Sequence, residues 1–150
     1  MKRIVIMNCI TISLIVILSY ISTPENQTLA NHYLLIGFGS VIAFMTFLWI
    51  ISLLVKDASI VDIFWGPAFI VLGSSLLISM DQVYSERSLF ILFLVSLWAI
   101  RLASHIGFRN IGHGEDFSYV EWRNESGKSY WWHSFIRVFL LQGSLCTLVG

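Results

Sequence analysis

The sequence predicts an all-α protein: a polytopic transmembrane helix bundle of about five spans, forming a single membrane domain. Two observations support this class, since 57% of the 150 residues are hydrophobic and only 12% are charged. A soluble domain of this length has more surface than so few polar residues can cover. The formal net charge is zero, so no basic field is available for a nucleic-acid partner.

Each predicted span is long and apolar enough to cross a bilayer as a helix. The spans run from Ile4 to Ile21, Tyr33 to Val55, Ile60 to Met80, Ser88 to Ile106 and His133 to Gly150. A cleaved signal peptide is the alternative for the first, but its apolar run is longer than a usual signal core. One longer polar segment, Gly107–Trp132, connects the last two spans.

The distribution of basic residues predicts an integral, multi-pass protein with a cytoplasmic N-terminus. Lys2 and Arg3 precede the first span, and in this orientation only Arg87 of the basic residues that flank the spans lies outside. The Gly107–Trp132 segment is then cytoplasmic. Membrane lipid is an expected partner, and the sequence leaves the oligomeric state open.

Ionisable groups inside a membrane segment are costly, so they mark candidate sites, and the first lies early in the third span. Asp62 and Trp65 are three residues apart and share a helix face. Pro67 cannot donate to Ile63, and Gly66 weakens the same turn, so a kink or break is expected there. Asp62 either pairs with a cation or a substrate hydroxyl in a cavity wall or caps the helix at the interface.

The second candidate site is a basic stripe at the end of the fourth span. Trp98, Arg101 and His105 share one helix face at helical spacing. Arg109 lies a further turn along the same face. Such a stripe suits an anionic group, for example a nucleotide phosphate or a carboxylate. The alternative is arginine snorkelling to lipid phosphates, which does not require His105.

The third candidate site follows a glycine-rich turn in the polar segment. Gly114 allows the chain to turn at positive φ, and Asp116 is placed to cap a short helix. That helix carries three side chains of interest: Tyr119, Trp122 and Arg123. The carboxylates of Glu115 and Asp116 are available to pair with Arg101, Arg109 or Arg123. The alternative is an amphipathic interfacial helix, with Trp131 and Trp132 as further anchors.

Other common sites have no signature in this sequence. Cys9 and Cys146 lie in apolar runs without a CxxC pattern, and the histidines lack HExxH or one-turn metal spacing. We therefore expect no metal. Neither a phosphate-binding glycine loop nor a GxSxG nucleophile turn is present.

Three segments together resemble a known family in their residues, their order and their spacing. They are DASIVDIFWGPAFIVLG from Asp57, LWAIRLASHIGFRNIGHGEDFSYVEWR from Leu97 and WWHSFIRVFLLQG from Trp131. They resemble the steroid 5-alpha-reductase-like integral membrane family, which is related to 3-oxo-5-alpha-steroid 4-dehydrogenases. The resemblance covers most of the chain from Asp57 onward, while the first two spans match only in hydropathy.

The resemblance implies a helical membrane reductase that passes hydride from NADPH to a carbon–carbon double bond of a steroid-like or other lipid substrate. It makes Tyr119 and Asp62 the catalytic candidates, with Tyr119 polarising a substrate carbonyl. Trp65 and Trp98 would line the cavity for this hydrophobic small molecule. The candidates for contact with cofactor are Arg101, His105, Arg109, Glu115, Asp116 and Arg123.

Two alternatives and two departures accompany this hypothesis. Related architecture also serves membrane methyltransferases that use S-adenosylmethionine, and the chain is alternatively a non-catalytic membrane module. The family usually has an arginine where Ser118 precedes Tyr119. Family members also continue well beyond the position of Gly150, and that continuation holds most dinucleotide contacts. We therefore expect the chain to be incomplete and not to reduce a substrate by itself.

Overall fold

The computed structural model describes residues 27–79, 85–110, 112 and 114–150, and within these ranges it is helical without any strand. The four longer helices are α1 Gln27–Val55, α2 Ile60–Ser79, α3 Glu86–Asn110 and α4 Phe117–Ser126. The chain continues through a 3₁₀ turn Gly127–Ser129, α5 Tyr130–Ser134, a π-helical stretch Phe135–Leu140 and α6 Leu141–Val149. The predicted all-α membrane bundle is confirmed.

Three helices in the described part of the chain are long and apolar enough to cross a membrane: Asn31–Val55, Ile60–Ser79 and Glu86–Asn110. They coincide with the second, third and fourth predicted spans. The first predicted span lies outside the described residues. The fifth corresponds to the helical course that contains the π-helical stretch. Its crossing of the membrane stays a prediction, as does the cytoplasmic N-terminus.

The observed and predicted helix ends coincide at Val55 and Ile60 and differ by one to six residues elsewhere. α1 begins at Gln27 and not at Tyr33, because hydropathy locates the apolar run and not the polar turn that precedes it. α3 passes Gly107 and ends at Asn110. The chain leaves the helix near Gly112, whose φ of 81° suits glycine.

α2 occupies the middle of the bundle, with α1 on one side and α3 on the other, and α1 also packs against the last helical course. The buried core residues come mainly from these elements: Val41, Met45, Leu48, Val61, Ala68, Leu72, Val138 and Phe139. A hydroxyl–hydroxyl hydrogen bond of 2.8 Å joins Ser40 of α1 to Ser75 of α2. By contrast, α3 contributes only Ala99 to the buried set of the described residues and exposes large apolar side chains, as expected for a lipid-facing helix.

Of the kink or break expected near Pro67, the break does not occur, because α2 is a single helix from Ile60 to Ser79. Packing holds this turn: Gly66 and Ala68, on either side of the proline, are both buried. A Cβ on Gly66 would lie 3.0 Å from the Ala99 carbonyl oxygen and 3.2 Å from its Cα. Gly66 therefore lets the backbones of α2 and α3 meet, a requirement that the sequence of α2 alone does not reveal.

Candidate functional site

The two catalytic candidates, Asp62 and Tyr119, are in contact with each other and connect the first turn of α2 with α4. The Tyr119 hydroxyl donates to the carboxylate of Asp62, at 3.1 Å from Oδ1 and 3.3 Å from Oδ2. Tyr119 is only 8% exposed. The structure thus brings together two residues that the sequence singled out separately.

Local sequence explains how Tyr119 reaches this position. Gly114 adopts a φ of 72°, which permits the turn before α4. The Asp116 side chain then accepts a hydrogen bond of 3.0 Å from the Ser118 backbone N–H and caps the helix. Trp122, one turn after Tyr119, packs edge-on against its ring at a centroid distance of 5.6 Å. The predicted turn, cap and shared apolar side are confirmed.

The surroundings of Tyr119 keep its hydroxyl protonated. Burial is the largest cause that raises the pKa of Tyr119 far above its ordinary value, and the nearby Asp62 charge adds to it. A phenol in this state is a hydrogen-bond donor over the whole physiological pH range. The group at this position is therefore suited to donating to an oxygen atom.

Glu115 is the centre of a second polar cluster, which we call the Glu115 cluster: Glu115, Arg123, Tyr130 and the Ala58 backbone N–H. Arg123 forms a two-pronged ion pair with Glu115, at 2.7 Å from Nη2 and 3.0 Å from Nε. Glu115 also accepts from the Ala58 N–H at 2.8 Å and from the Tyr130 hydroxyl at 3.4 Å. Oε1 therefore accepts from three protein donors, whereas Oε2 accepts from Arg123 Nε.

The Glu115 cluster fixes the loop between α1 and α2 against α4. Lys56, the first residue after α1, has a φ of 60°, and its carbonyl accepts a 3.1 Å hydrogen bond from Arg123. The Arg123 guanidinium carbon also lies 4.2 Å from the centre of the Tyr130 ring. Burial, followed by the charge of Glu115, raises the pKa of Tyr130 to about 12. The side-chain hydrogen bond to Glu115 is the largest of the contributions that raise the pKa of Arg123.

These contacts give three of the predicted cofactor residues a structural role. Glu115 and Arg123 bind each other, and Asp116 caps α4. Any contact of theirs with a cofactor stays a prediction. Tyr130 was not singled out from the sequence, where it reads as one more aromatic beside two interfacial tryptophans. The Ala58 N–H carries no sequence signal, because it is a backbone donor.

The predicted basic stripe forms on the exposed surface of α3. Arg101, His105 and Arg109 are all exposed, and none makes a hydrogen bond or salt bridge with the described residues. Trp98 precedes them and is 44% exposed. Its ring packs edge-on against Phe69, which in turn packs edge-on against Trp65. Phe69 therefore joins the two predicted cavity tryptophans.

An apolar cavity of about 300 Å³ between α2 and α3 is lined by neither Asp62 nor Tyr119. Phe69, Leu72, Leu76 and Leu92 are among the residues that line it, whereas Trp65 and Trp98 are not. A more polar, open crevice of about 390 Å³ is lined by residues that include Glu115, Asp116 and Asn110. The indole N–H of Trp65 is buried without an acceptor among the described residues.

Comparison with known proteins places these features in a family. Residues 48–150, which include the Asp62–Tyr119 pair and the Glu115 cluster, match the family model described as protein of unknown function, DUF1295. No curated protein and no solved structure matches the chain. Because the family model covers more than half of the sequence, the chain belongs to the DUF1295 family, a steroid 5-alpha-reductase-like family of membrane proteins.

Proposed function

We propose that this protein is a membrane-embedded, NADPH-dependent reductase of a carbon–carbon double bond conjugated to a carbonyl group in a steroid-like or other lipid substrate. One observation carries the proposal: a buried phenol hydroxyl, Tyr119, held on the carboxylate of Asp62 where α2 begins. Membership of a steroid 5-alpha-reductase-like family supports the reaction class.

The chemistry of the reaction explains why such a phenol is useful. Hydride addition to the β-carbon of an enone develops negative charge on the carbonyl oxygen, and a donor aimed at that oxygen lowers the barrier. Tyr119 keeps its proton because burial raises its pKa. NADPH, when bound, supplies the hydride.

Asp62 determines whether the Tyr119 hydroxyl is free to donate to substrate. Tyr119 has one hydroxyl hydrogen, which in this structure points to Asp62. To turn toward a substrate carbonyl, Tyr119 needs Asp62 to carry a proton and to donate to the phenol oxygen. The proton of Tyr119 then passes to the reduced substrate, and Asp62 replaces it. Asp62 acts through Tyr119 and is a positioning and proton-supplying residue.

Trp65 offers a second donor beside this pair. It lies one helical turn after Asp62, and its indole N–H is buried without an acceptor among the described residues. Buried donors in proteins are normally satisfied, so an acceptor from a bound molecule is expected here. An oxygen of the lipid substrate fits this requirement.

The basic stripe supplies suitable side chains for the phosphates of the cofactor. Arg101, His105 and Arg109 are exposed along two turns of α3 and make no hydrogen bond or salt bridge with the described residues. Two guanidinium groups on one face match the planar, two-pronged recognition of phosphate oxygens. We assign NADPH phosphate binding to these three residues.

Because the 150-residue chain is not expected to reduce a substrate by itself, the test uses a full-length form that carries the C-terminal continuation, in lipid nanodiscs with NADPH and a panel of steroid and isoprenoid enones. We expect NADPH oxidation with a product heavier by two hydrogens, and deuterium in the product when the cofactor carries deuteride. Tyr119→Phe should lower kcat about 100-fold with little change in KM. Tyr33→Phe, which removes a hydroxyl from α1, is the matched control.

Two results would contradict the proposal. One is a Tyr119→Phe variant that reduces the enone as fast as the wild type. The other is methyl transfer from S-adenosylmethionine in the absence of any enone reduction, which would assign the protein to the methyltransferase alternative.

A further inference from the structure

Two hydrogen bonds connect the start of α2 with the start of α4 in the same register. The Ala58 N–H donates to Glu115 at 2.8 Å. The Tyr119 hydroxyl donates to Asp62 at 3.1 Å. The residues of each bond are 57 positions apart, so the second bond follows the first by about one helical turn in both segments. The two bonds therefore form adjacent attachment points between the same two segments.

The segment between Ala58 and Asp62 is closed by backbone hydrogen bonds. The Ala58 carbonyl accepts from the Val61 N–H at 3.2 Å, and the Ser59 carbonyl accepts from the Asp62 N–H at 3.1 Å. Ala58 and Ser59 are only 1% and 3% exposed. Since this turn is both hydrogen-bonded and buried, the place at which Glu115 holds the Ala58 peptide determines where the Asp62 side chain begins.

The first turn of α4 is closed in the same way. The Asp116 carbonyl accepts from the Tyr119 N–H at 3.0 Å and from the Val120 N–H at 3.2 Å. The Asp116 side chain accepts from the Ser118 N–H and caps the same turn. Because Glu115 directly precedes this turn, its contacts fix the place from which the Tyr119 side chain starts.

Arg123 provides a further attachment of α4 to the α1–α2 loop. Its guanidinium group donates to both carboxylate oxygens of Glu115 and also to the Lys56 carbonyl, at 3.1 Å. Lys56 has a φ of 60°, which residues other than glycine rarely adopt. The next N–H, that of Asp57, donates to the Ser52 carbonyl at 3.1 Å and closes the end of α1. Glu115 and Arg123 thus hold one donor and one acceptor of the loop.

We propose that Glu115 and Arg123 are positioning residues, which hold Tyr119 on Asp62 by fixing the α1–α2 loop against α4. Among the described residues neither makes a hydrogen bond with Asp62 or Tyr119, so they act through the backbone of the two turns. The inference rests on the proposed function for its effect on catalysis, whereas the placement of Tyr119 is testable without any reaction. The cofactor contact that the resemblance implies for the same two residues is the competing role.

The first arm of the test measures the placement of Tyr119 in the 150-residue chain in detergent, without cofactor. The background is Tyr130→Phe, which removes the phenol that contacts Glu115, and the difference from the same chain with Tyr119→Phe isolates Tyr119. We expect Glu115→Gln and Arg123→Lys to bring the pKa of Tyr119 closer to its ordinary value of about 10, by about one unit or more, because a displaced phenol is less buried.

Two of the variants separate placement from charge. Arg123→Lys keeps the positive charge but lacks the planar fork that reaches Glu115 and the Lys56 carbonyl together. Glu121→Gln removes the same charge as Glu115→Gln, from the exposed side of α4, and should leave the titration of Tyr119 unchanged. Arg123→Lys also decides the matter if Glu115→Gln does not fold.

The second arm measures steady-state enone reduction by a full-length form in nanodiscs. For Glu115→Gln and Arg123→Lys we expect kcat to decrease about tenfold, with unchanged KM for the enone and unchanged NADPH affinity, because only the placement of the donor is lost. A residue that only contacts the cofactor would instead weaken NADPH binding. A residue that only stabilises the fold would change none of these constants in the folded protein.

An unchanged titration of Tyr119 in a folded Glu115→Gln or Arg123→Lys protein would overturn the positioning role, as would weaker NADPH binding with unchanged kcat. The positioning role and the proposed function fail separately. If the titration moves as expected but no form of the protein reduces an enone, Glu115 and Arg123 position Tyr119 and the reductase assignment is wrong.

Discussion

The hydroxyl of Tyr119 lies 3.1 Å and 3.3 Å from the two carboxylate oxygens of Asp62, across 57 positions of the sequence. This bond connects α4, outside the three candidate spans, with the first turn of α2, which is inside one. Any change in the protonation of one partner therefore alters the hydrogen-bond direction of the other.

The first prediction tests this direction. Asp62→Asn keeps an N–H donor that can serve the Tyr119 oxygen, whereas Asp62→Ala keeps none. We expect kcat to decrease about 100-fold in the alanine variant and about 10-fold in the asparagine variant. Steady-state enone reduction in nanodiscs measures both, with Glu121→Gln on the exposed side of α4 as the control. Equal losses in the two Asp62 variants would show that Asp62 does not donate to Tyr119.

The second prediction concerns alkaline pH. Burial and the Asp62 charge raise the pKa of Tyr119, and burial raises that of Tyr130 to about 12, so neither phenol ionises near the ordinary value of about 10 in the fold. Since only the unfolded chain ionises them there, their contribution to stability is complete below pH about 10 and decreases as pH rises further.

Phenolate absorbance, followed in the native and in the denatured protein, provides the measurement for this second prediction. The double variant Tyr119→Phe, Tyr130→Phe should lack the late-titrating component and should lose less stability above pH about 10. A native titration curve that is the same in wild type and double variant up to unfolding, with equal loss of stability, would contradict the assignment.

The third prediction concerns the basic stripe. Arg101→Ala should weaken NADPH binding about tenfold or more, because a charge-assisted contact to phosphate is lost. Arg101→Lys should recover only part of it, since lysine lacks the planar fork. Arg87→Ala, at the opposite end of the same helix, should have no effect. Equal affinity of all three variants by fluorescence titration would leave Arg101 as a residue that only contacts lipid.

How much of this arrangement the sequence predicts depends on whether its cause is local. The spans follow from runs of apolar residues, and the Asp116 cap from residues within one turn. The Asp62–Tyr119 bond and the bond from Ala58 to Glu115 depend on how α2 and α4 are brought together. Asp62, Tyr119 and Glu115 were therefore identifiable as candidates, but Ala58 was not, and neither of these two pairings was predicted.

Gly66 is a second case in which the local sequence is not sufficient to predict the structure. From its own neighbours, a Gly–Pro pair predicts a weakened or broken turn. The structure instead keeps the helix and uses the missing Cβ to admit the Ala99 backbone of α3. The identity of the neighbouring helix, which no local pattern contains, decides the outcome.

The fourth prediction concerns the Glu115 cluster. Glu115→Ala leaves the Arg123 guanidinium and the Ala58 N–H without their acceptor, which should cost about 2–3 kcal/mol of unfolding free energy. Arg123 is partly exposed, and water compensates for some of the loss. Thermal unfolding followed by tryptophan fluorescence measures the change. Glu121→Ala, on the exposed side of α4, should change stability by less than about 0.5 kcal/mol; a comparable loss there would show that the cluster contributes nothing specific.

The fifth prediction compares glycines that differ in what a Cβ would meet. At Gly66 the obstacle is the backbone of Ala99, 3.0 Å away, so Gly66→Ala must separate α2 from α3 and should destabilise the protein by about 1–3 kcal/mol. At Gly37 the nearest atom, 2.9 Å away, is the terminal side-chain carbon Cδ1 of Leu72, which can shift at a lower cost than a backbone atom. At Gly39 nothing lies within 4 Å, and alanine should stabilise α1 by up to about 1 kcal/mol. We therefore expect stability to increase in the order Gly66→Ala, Gly37→Ala, Gly39→Ala when thermal unfolding is measured in one detergent. A Gly66→Ala protein as stable as Gly39→Ala would mean that α2 and α3 do not approach each other closely at Ala99.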